Sequence, residues 1–251
     1  MLRPWKADPY LDDIHQRLVW NKVAMVNVIQ HSYVIKGWYQ DIQKEDEDPY
    51  ITVQKDMGMA KHRFDSASKP TGNACLTMRS VNRTANKVWT ERRTEVPGQN
   101  ALAHLTYVSG LDGMERLVQM GMLADASDEG LLFTRFHDKE GSETSLLLAQ
   151  STQYLCRIKV LFVDGKALHM GMTKVMLDTI KDVLLWWAPG DVPTRIGDAA
   201  GIPADRLHRC VRRMCSFVTL STLVVETEYP DFDIMAAFGI FALSPTVSQE
   251  Q

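Results

Sequence analysis

The 251-residue sequence predicts a mainly α-helical fold with a minor β component, a helical body followed by a winged helix-turn-helix module. Three observations predict it. Apolar residues recur at three- and four-residue spacing through residues 1–40, 101–122 and 172–187. Runs that could form strands are short and few. Residues 194–246 carry, in order, a helix cap, a glycine turn, a proline, an arginine-rich helical stretch and two short apolar runs.

The elements follow from the residues. Within 1–100, Ile14, Leu18, Val23, Met25, Val26, Val28, Ile29 and Val34 predict one or two buried helices, and Lys44 to Asp48 a charged turn. The stretch 61–93 has eight basic residues against two acidic ones, and many Ser, Thr, Asn and Gly; it reads as an extended, loop-rich segment. In 101–171, Leu102, Leu105, Val108, Leu111, Met114, Leu117, Val118 and Met122 predict helix, broken at Gly110 and Gly113. Asp125 to Gly130 then reads as a turn leading into Leu131-Leu132-Phe133, a short hairpin. Val160 to Val163, followed by Asp164-Gly165, reads as a strand entering a turn.

In 172–251 a helix is expected over Met172–Trp187, ended by Pro189-Gly190. Thr194 is placed to cap a short helix Arg195–Ala200, because its hydroxyl can accept an orphan backbone N–H. Gly201 suits a left-handed turn, and Pro203 suits a first helical turn. A longer helix then runs from Ala204 to Phe217, with Leu207, Cys210, Val211, Met214, Phe217 and Val218 as its buried stripe. Leu223-Val224-Val225 and Ile240 to Leu243 are the two strands of the expected wing.

Composition is near the globular average: 45% hydrophobic, 24% charged, with a net charge of -3. That excludes a collagen-like or wholly disordered chain, and nothing global steers it toward polyanions. The start MLRPWKADPY has no apolar leader region, and no apolar run approaches a spanning length, so a cytoplasmic or nuclear protein without membrane contact is expected. Cys75, Cys156, Cys210 and Cys215 are then free thiols. Residues 110–150 hold eight acids and three bases. This acidic stretch could neutralise the basic 61–93 stretch, within a subunit or between subunits. Alternatively, both are solvated surfaces.

The C-terminal third resembles the N-terminal winged-helix domain of plant- and fungal-type small-molecule O-methyltransferases. The residues that carry the likeness are Ile196, Ala199 and Ala200, then Gly201-Ile202-Pro203-Ala204-Asp205-Arg206-Leu207-His208-Arg209, then Ala242 to Thr246. It covers roughly residues 172–248. In that family the module serves dimerisation, and an S-adenosylmethionine-binding domain follows it. The cofactor loop GxGxxG of such a domain has no counterpart in these residues, so the resemblance implies association without methyl transfer.

Metal-ligand pairs, a Walker loop and a nucleophile elbow are also lacking, so no catalytic, metal or cofactor residues are assigned. The candidate contacts are Arg206, Arg209, Arg212 and Arg213, set to meet nucleic acid or a partner, or to pair with Asp205, Glu226 or Glu228. Trp186, Trp187, Met214 and Phe217 are candidates for an interface or apolar pocket. The expected function is a homodimeric or partner-binding accessory module, in small-molecule biosynthesis if the resemblance holds. The alternatives are a nucleic-acid-binding winged-helix regulator and a self-assembling viral coat or nucleocapsid subunit.

Overall fold

The computed structural model of the chain describes residues 4–46, 68–137, 146–182, 185–187 and 194–228. The mainly helical expectation holds. Ten α-helices are described: α1 (Pro9–His15), α2 (Met25–His31), α3 (Tyr33–Glu45), α4 (Ser68–Leu76), α5 (Met78–Glu91), α6 (Val96–Val108), α7 (Gly110–His137), α8 (Leu147–Phe162), α9 (Gly171–Asp182) and α10 (Ala204–Glu228). The minor β component is one antiparallel pair, β1 (Leu185–Trp187) and β2 (Thr194–Ile196), with Trp186 opposite Arg195.

The N-terminal region is helical as expected, in three α-helices rather than one or two, with Val23 and Val34 exposed rather than buried. Asp8 caps α1, accepting from the Tyr10 and Leu11 amides at 2.9 and 3.4 Å, and Pro9 occupies the first turn. Residues Gln16–Trp20 widen into a π turn, where the Asn21 amide reaches back to the Gln16 carbonyl at 2.8 Å. The Asn27 side-chain amide donates to the Val19 and Asn21 carbonyls, both at 2.8 Å, and so fixes the exit of that turn. Leu11, Ile14, Leu18, Met25, Ile29, Ile35 and Tyr39 from this region are all buried in the core.

Six expectations are corrected. The described part of the segment expected to be extended at 61–93 is mostly helical, as α4 and α5, with Thr77 at their junction and Arg92 and Arg93 following α5. Its small polar residues are not loop formers here. Thr84 donates its hydroxyl to the Ser80 carbonyl at 2.7 Å inside α5, and Thr77, at the junction of α4 and α5, donates to the Asn73 carbonyl at 2.8 Å. Met78, Val81, Ala85 and Val88 bury the inner face of α5.

The turn and hairpin expected at 125–133 are also absent. One 28-residue helix, α7, runs through Gly113 and Gly130. The acids in the expected turn have tertiary partners instead. Asp125 accepts from the Met172 amide at 2.6 Å, the Thr173 amide at 3.0 Å and the Thr173 hydroxyl at 2.6 Å. It thus caps α9 from another helix. Asp128 accepts from the Ser68 hydroxyl.

Val160 to Val163 is not a strand; it ends α8, and Gly165 makes the left-handed turn that follows. The helix expected over Met172–Trp187 is described as far as Asp182, and Leu185-Trp186-Trp187 instead form β1, which pairs with β2, in keeping with the strand preference of tryptophan. The short helix at Arg195–Ala200 is likewise replaced, by β2 and a turn. In that turn Asp198 accepts from the Ala200 amide at 2.9 Å, and Gly201, at φ +72°, closes it.

The first strand of the wing, Leu223-Val224-Val225, continues α10 as helix. Serine and threonine hydroxyls support it. Thr219, Thr222 and Thr227 each donate to the carbonyl four residues earlier, at 3.1, 3.0 and 2.8 Å. The second wing run, Ile240 to Leu243, lies outside the described residues.

Helix α7 is the hub. It packs on α1, α4, α6, α8, α9, α10 and β2. Gly121 brings α7 against the start of α9. A Cβ placed there would stand 2.8 Å from both the Met172 carbonyl oxygen and the Thr173 Cα. Gly121→Ala is therefore expected to destabilise the chain by about 2 kcal/mol despite alanine's better helix propensity, because backbone rather than a mobile side chain must yield. An unchanged denaturation midpoint would remove the close approach.

Candidate nucleic-acid interface

The four arginines singled out in the sequence all sit on α10. Three of them are tied to carboxylates of their own chain. Arg206 pairs with Asp112 and, at 3.3 Å, with Glu115. Arg209 pairs with Glu115 at 3.0 Å. Arg213 pairs with Asp8 at 3.2 Å, and its guanidinium lies 3.9 Å from the centroid of the Tyr10 ring. The partners come from α7 and the N-terminus, not from Asp205, Glu226 or Glu228. Hydrogen bonding to Arg206 holds the Asp112 carboxyl below the usual carboxylate range. Arg212 is exposed and has no ion-pair partner among the described residues. Met214 and Phe217 are core residues, at 0% and 4% exposure, and Phe217 meets Phe162 edge-on with centroids 6.1 Å apart. Trp186 and Trp187 lie in β1, which runs beside α5.

The described acids of the 110–150 stretch are consumed inside the subunit. Asp112 and Glu115 hold α10, Asp125 caps α9, Asp128 takes the Ser68 hydroxyl, and Glu129 pairs with Arg157 at 3.5 Å. Among the described residues, none of them pairs with a base of the stretch 61–93.

That basic stretch forms a face where α5 packs on α3. Arg79, Arg83 and Lys87 follow one another at four-residue spacing, so they share one side of α5. Arg83 pairs with Asp46 and, at 3.6 Å, with Glu45; Arg79 reaches Asp46 at 3.8 Å. The C-terminal end of α3 therefore anchors one end of the row. Farther along, cations lie over rings. The Lys87 ammonium is 5.4 Å from the centroid of Trp38, and the Arg92 guanidinium is 6.0 Å from the same ring. Arg93 lies 5.3 Å from the centroid of Trp89. Trp38 and Trp89 are partly buried against the core, which fixes the rings under their cations.

Sequence reasoning counted these charges but missed the surface. The visible signal was the four-residue spacing of Arg79, Arg83 and Lys87, which is a helical period. Trp38 carried no such signal, since it lies some fifty residues upstream in chain order.

Three buried groups have shifted titrations. His104 places Nε2 2.9 Å from the Asn82 Oδ1, and burial pushes its pKa down to about 4. Burial also raises the Cys75 thiol well above its ordinary range, and pushes Cys210 up to about 12. Among the described residues no three His, Cys, Asp or Glu side chains converge as a metal site, and no helix is long and apolar enough to cross a membrane. No protein-family model, no curated protein and no solved structure matches the chain.

Proposed function

We propose that this chain is a non-enzymatic, helical subunit that binds single-stranded nucleic acid on the α3–α5 face. Assembly of several copies along one strand would then make it a nucleocapsid-type protein. The observation that carries the reading is an imbalance of partners. The acids that could have answered the basic stretch are spent on α4, α8, α9 and α10. Lys87 and Arg93 have no ion-pair partner among the described residues, Arg92 pairs with its neighbour Glu95 at 3.6 Å, and all three cations lie over tryptophan rings. Alternating cations and aromatic rings suit a flexible polyanion with flat bases, and the binding is tolerant of sequence.

The winged-helix readings, an accessory dimerisation module or a DNA-binding regulator, draw support from the Gly201 turn followed by α10. They would place contact on α10, where Arg212 is the exposed cation lacking an ion pair.

Fluorescence anisotropy with a labelled oligouridylate separates these. Binding that weakens with salt is expected. Replacing Lys87, Arg92 and Arg93 together by alanine should weaken it about tenfold or more and lower the salt slope by about two to three. Arg212→Ala should leave it unchanged. A flat wild-type curve, or a loss on Arg212→Ala alone, would overturn the assignment to α5.

A further inference from the structure

The outer side of α3 carries an aromatic ring that the core does not use. Tyr33, in the first turn of the helix, is 93% exposed, the most exposed of the large apolar side chains among the described residues. Gly37 stands one turn farther on, so the two share one side of α3. A Cβ at Gly37 would meet nothing within 4 Å. Packing therefore does not require glycine there, and a glycine inside a helix costs stability. It leaves a bare strip of backbone beside an open ring.

That strip adjoins the α3–α5 face. Val34 and Trp38, again one turn apart, form the neighbouring line on α3. Val34 is 47% exposed, and Trp38 lies beneath Lys87 and Arg92. Tyr33 and Trp38 are about 7.5 Å apart along the helix axis, about two nucleotide steps at the rise of a stacked strand. Charge accompanies the rings. Lys36, three residues from Tyr33, has no ion-pair partner among the described residues, and neither has Lys87. Asp41, one turn beyond Gly37, is exposed and acidic, and it bounds the strip at that end.

An open ring with unpaired cations nearby suits a flat base carried on a polyanion. Only a single strand presents such a base, because a duplex keeps its base faces stacked on one another. We propose that Tyr33 is a base-stacking residue: one base of a bound single strand lies on its ring and over Gly37, Lys36 meets the adjoining phosphate, and the strand continues past Val34 to the cations over Trp38. The inference rests on the α3–α5 reading and extends it, since the strand then crosses α3 and does not follow α5 alone.

The test sets a labelled oligouridylate against an abasic strand with the same number of phosphates, by anisotropy on the full chain. Tyr33→Ala should weaken oligouridylate binding about fivefold or more, the loss of one stacked base. It should leave the abasic strand and the salt slope unchanged, since no phosphate contact is removed. Tyr33→Phe, which keeps the ring, should bind within about twofold of the wild type. Gly37→Leu should raise the urea midpoint and yet weaken oligouridylate binding about fivefold, a pairing that a merely structural glycine would not give. A flat wild-type curve would overturn the α3–α5 reading and this inference together. Binding lost in the Lys87, Arg92 and Arg93 triple variant but kept in Tyr33→Ala would overturn this inference alone. Equal losses on the abasic strand, or a changed oligomeric state of Tyr33→Ala in sedimentation, would also overturn it and assign the ring to contact between copies.

Discussion

Asp125→Ala is expected to lower the unfolding free energy by about 3 kcal/mol, more than removal of any surface ion pair described above. The carboxylate is 7% exposed and accepts three hydrogen bonds, two from backbone amides at the start of α9 and one from Thr173. Those amides belong to the first turn of a helix, where no intrahelical acceptor exists. Alanine leaves them buried and unpaired, and the negative charge that suits a helix N-terminus is lost with them. Burial holds the Asp125 pKa above the usual carboxylate range even though the Thr173 and Met172 hydrogen bonds act the other way. Asp125→Asn should recover part of the loss, since it keeps one acceptor. Urea denaturation of the three proteins decides it, and equal midpoints would show that α9 is capped by something else.

Acidification should destabilise the chain well before its carboxylates protonate. The cause is His104, whose folded pKa is about 4 against an ordinary value near 6.5. The unfolded chain binds this proton more tightly than the folded one. The stability that neutral His104 preserves is therefore complete above pH 6.5. It drains as pH falls from 6.5 toward 4, by up to about 1.4 kcal/mol per unit and about 3 kcal/mol in all. Asp13 and Asp112, held low by Arg17 and Arg206, add their losses only below the ordinary carboxylate range. The raised carboxyls of Asp125 and Glu129 work in the opposite sense, because protonation costs them less when folded. His104→Gln should flatten the slope between pH 6.5 and 5. It keeps a polar group facing Asn82 and removes the titration. If the two stability curves run parallel, the acid sensitivity resides elsewhere.

The stripe on α10 was legible in the sequence. Cys210, Met214, Phe217 and Val218 are buried, and Leu207 and Val211 are packed partly under cover against the core. Helical periodicity is a local property, and a single element displays it. The helix's true length was not legible. Ser216 to Thr227 is rich in Thr and Val, which favour strands, and only the hydroxyl bonds to the preceding turn reconcile them with helix. The turn expected at Asp125 failed for a different reason. Asp, Ser and Gly are read as a turn because they can satisfy backbone groups locally, yet Asp125 satisfies those of a helix some fifty residues away. The arginines show the same limit. Their charge was plain, but the carboxylates that hold Arg206, Arg209 and Arg213 come from Asp112, Glu115 and Asp8, remote in chain order. Conversely, the α3–α5 face joins Trp38 to Lys87 and Arg92, a pairing that only the fold creates.

The cysteines have a practical use. Cys75 and Cys210 are buried and Cys215 is half covered, whereas Cys156 is exposed on α8, next in sequence to Arg157, which ties α8 to Glu129 of α7. A maleimide probe would thus select one sulfur without mutagenesis. The native chain carries its own attachment point for a fluorophore or spin label on α8, ready to report a shift of α8 against α7 by a change in emission or mobility.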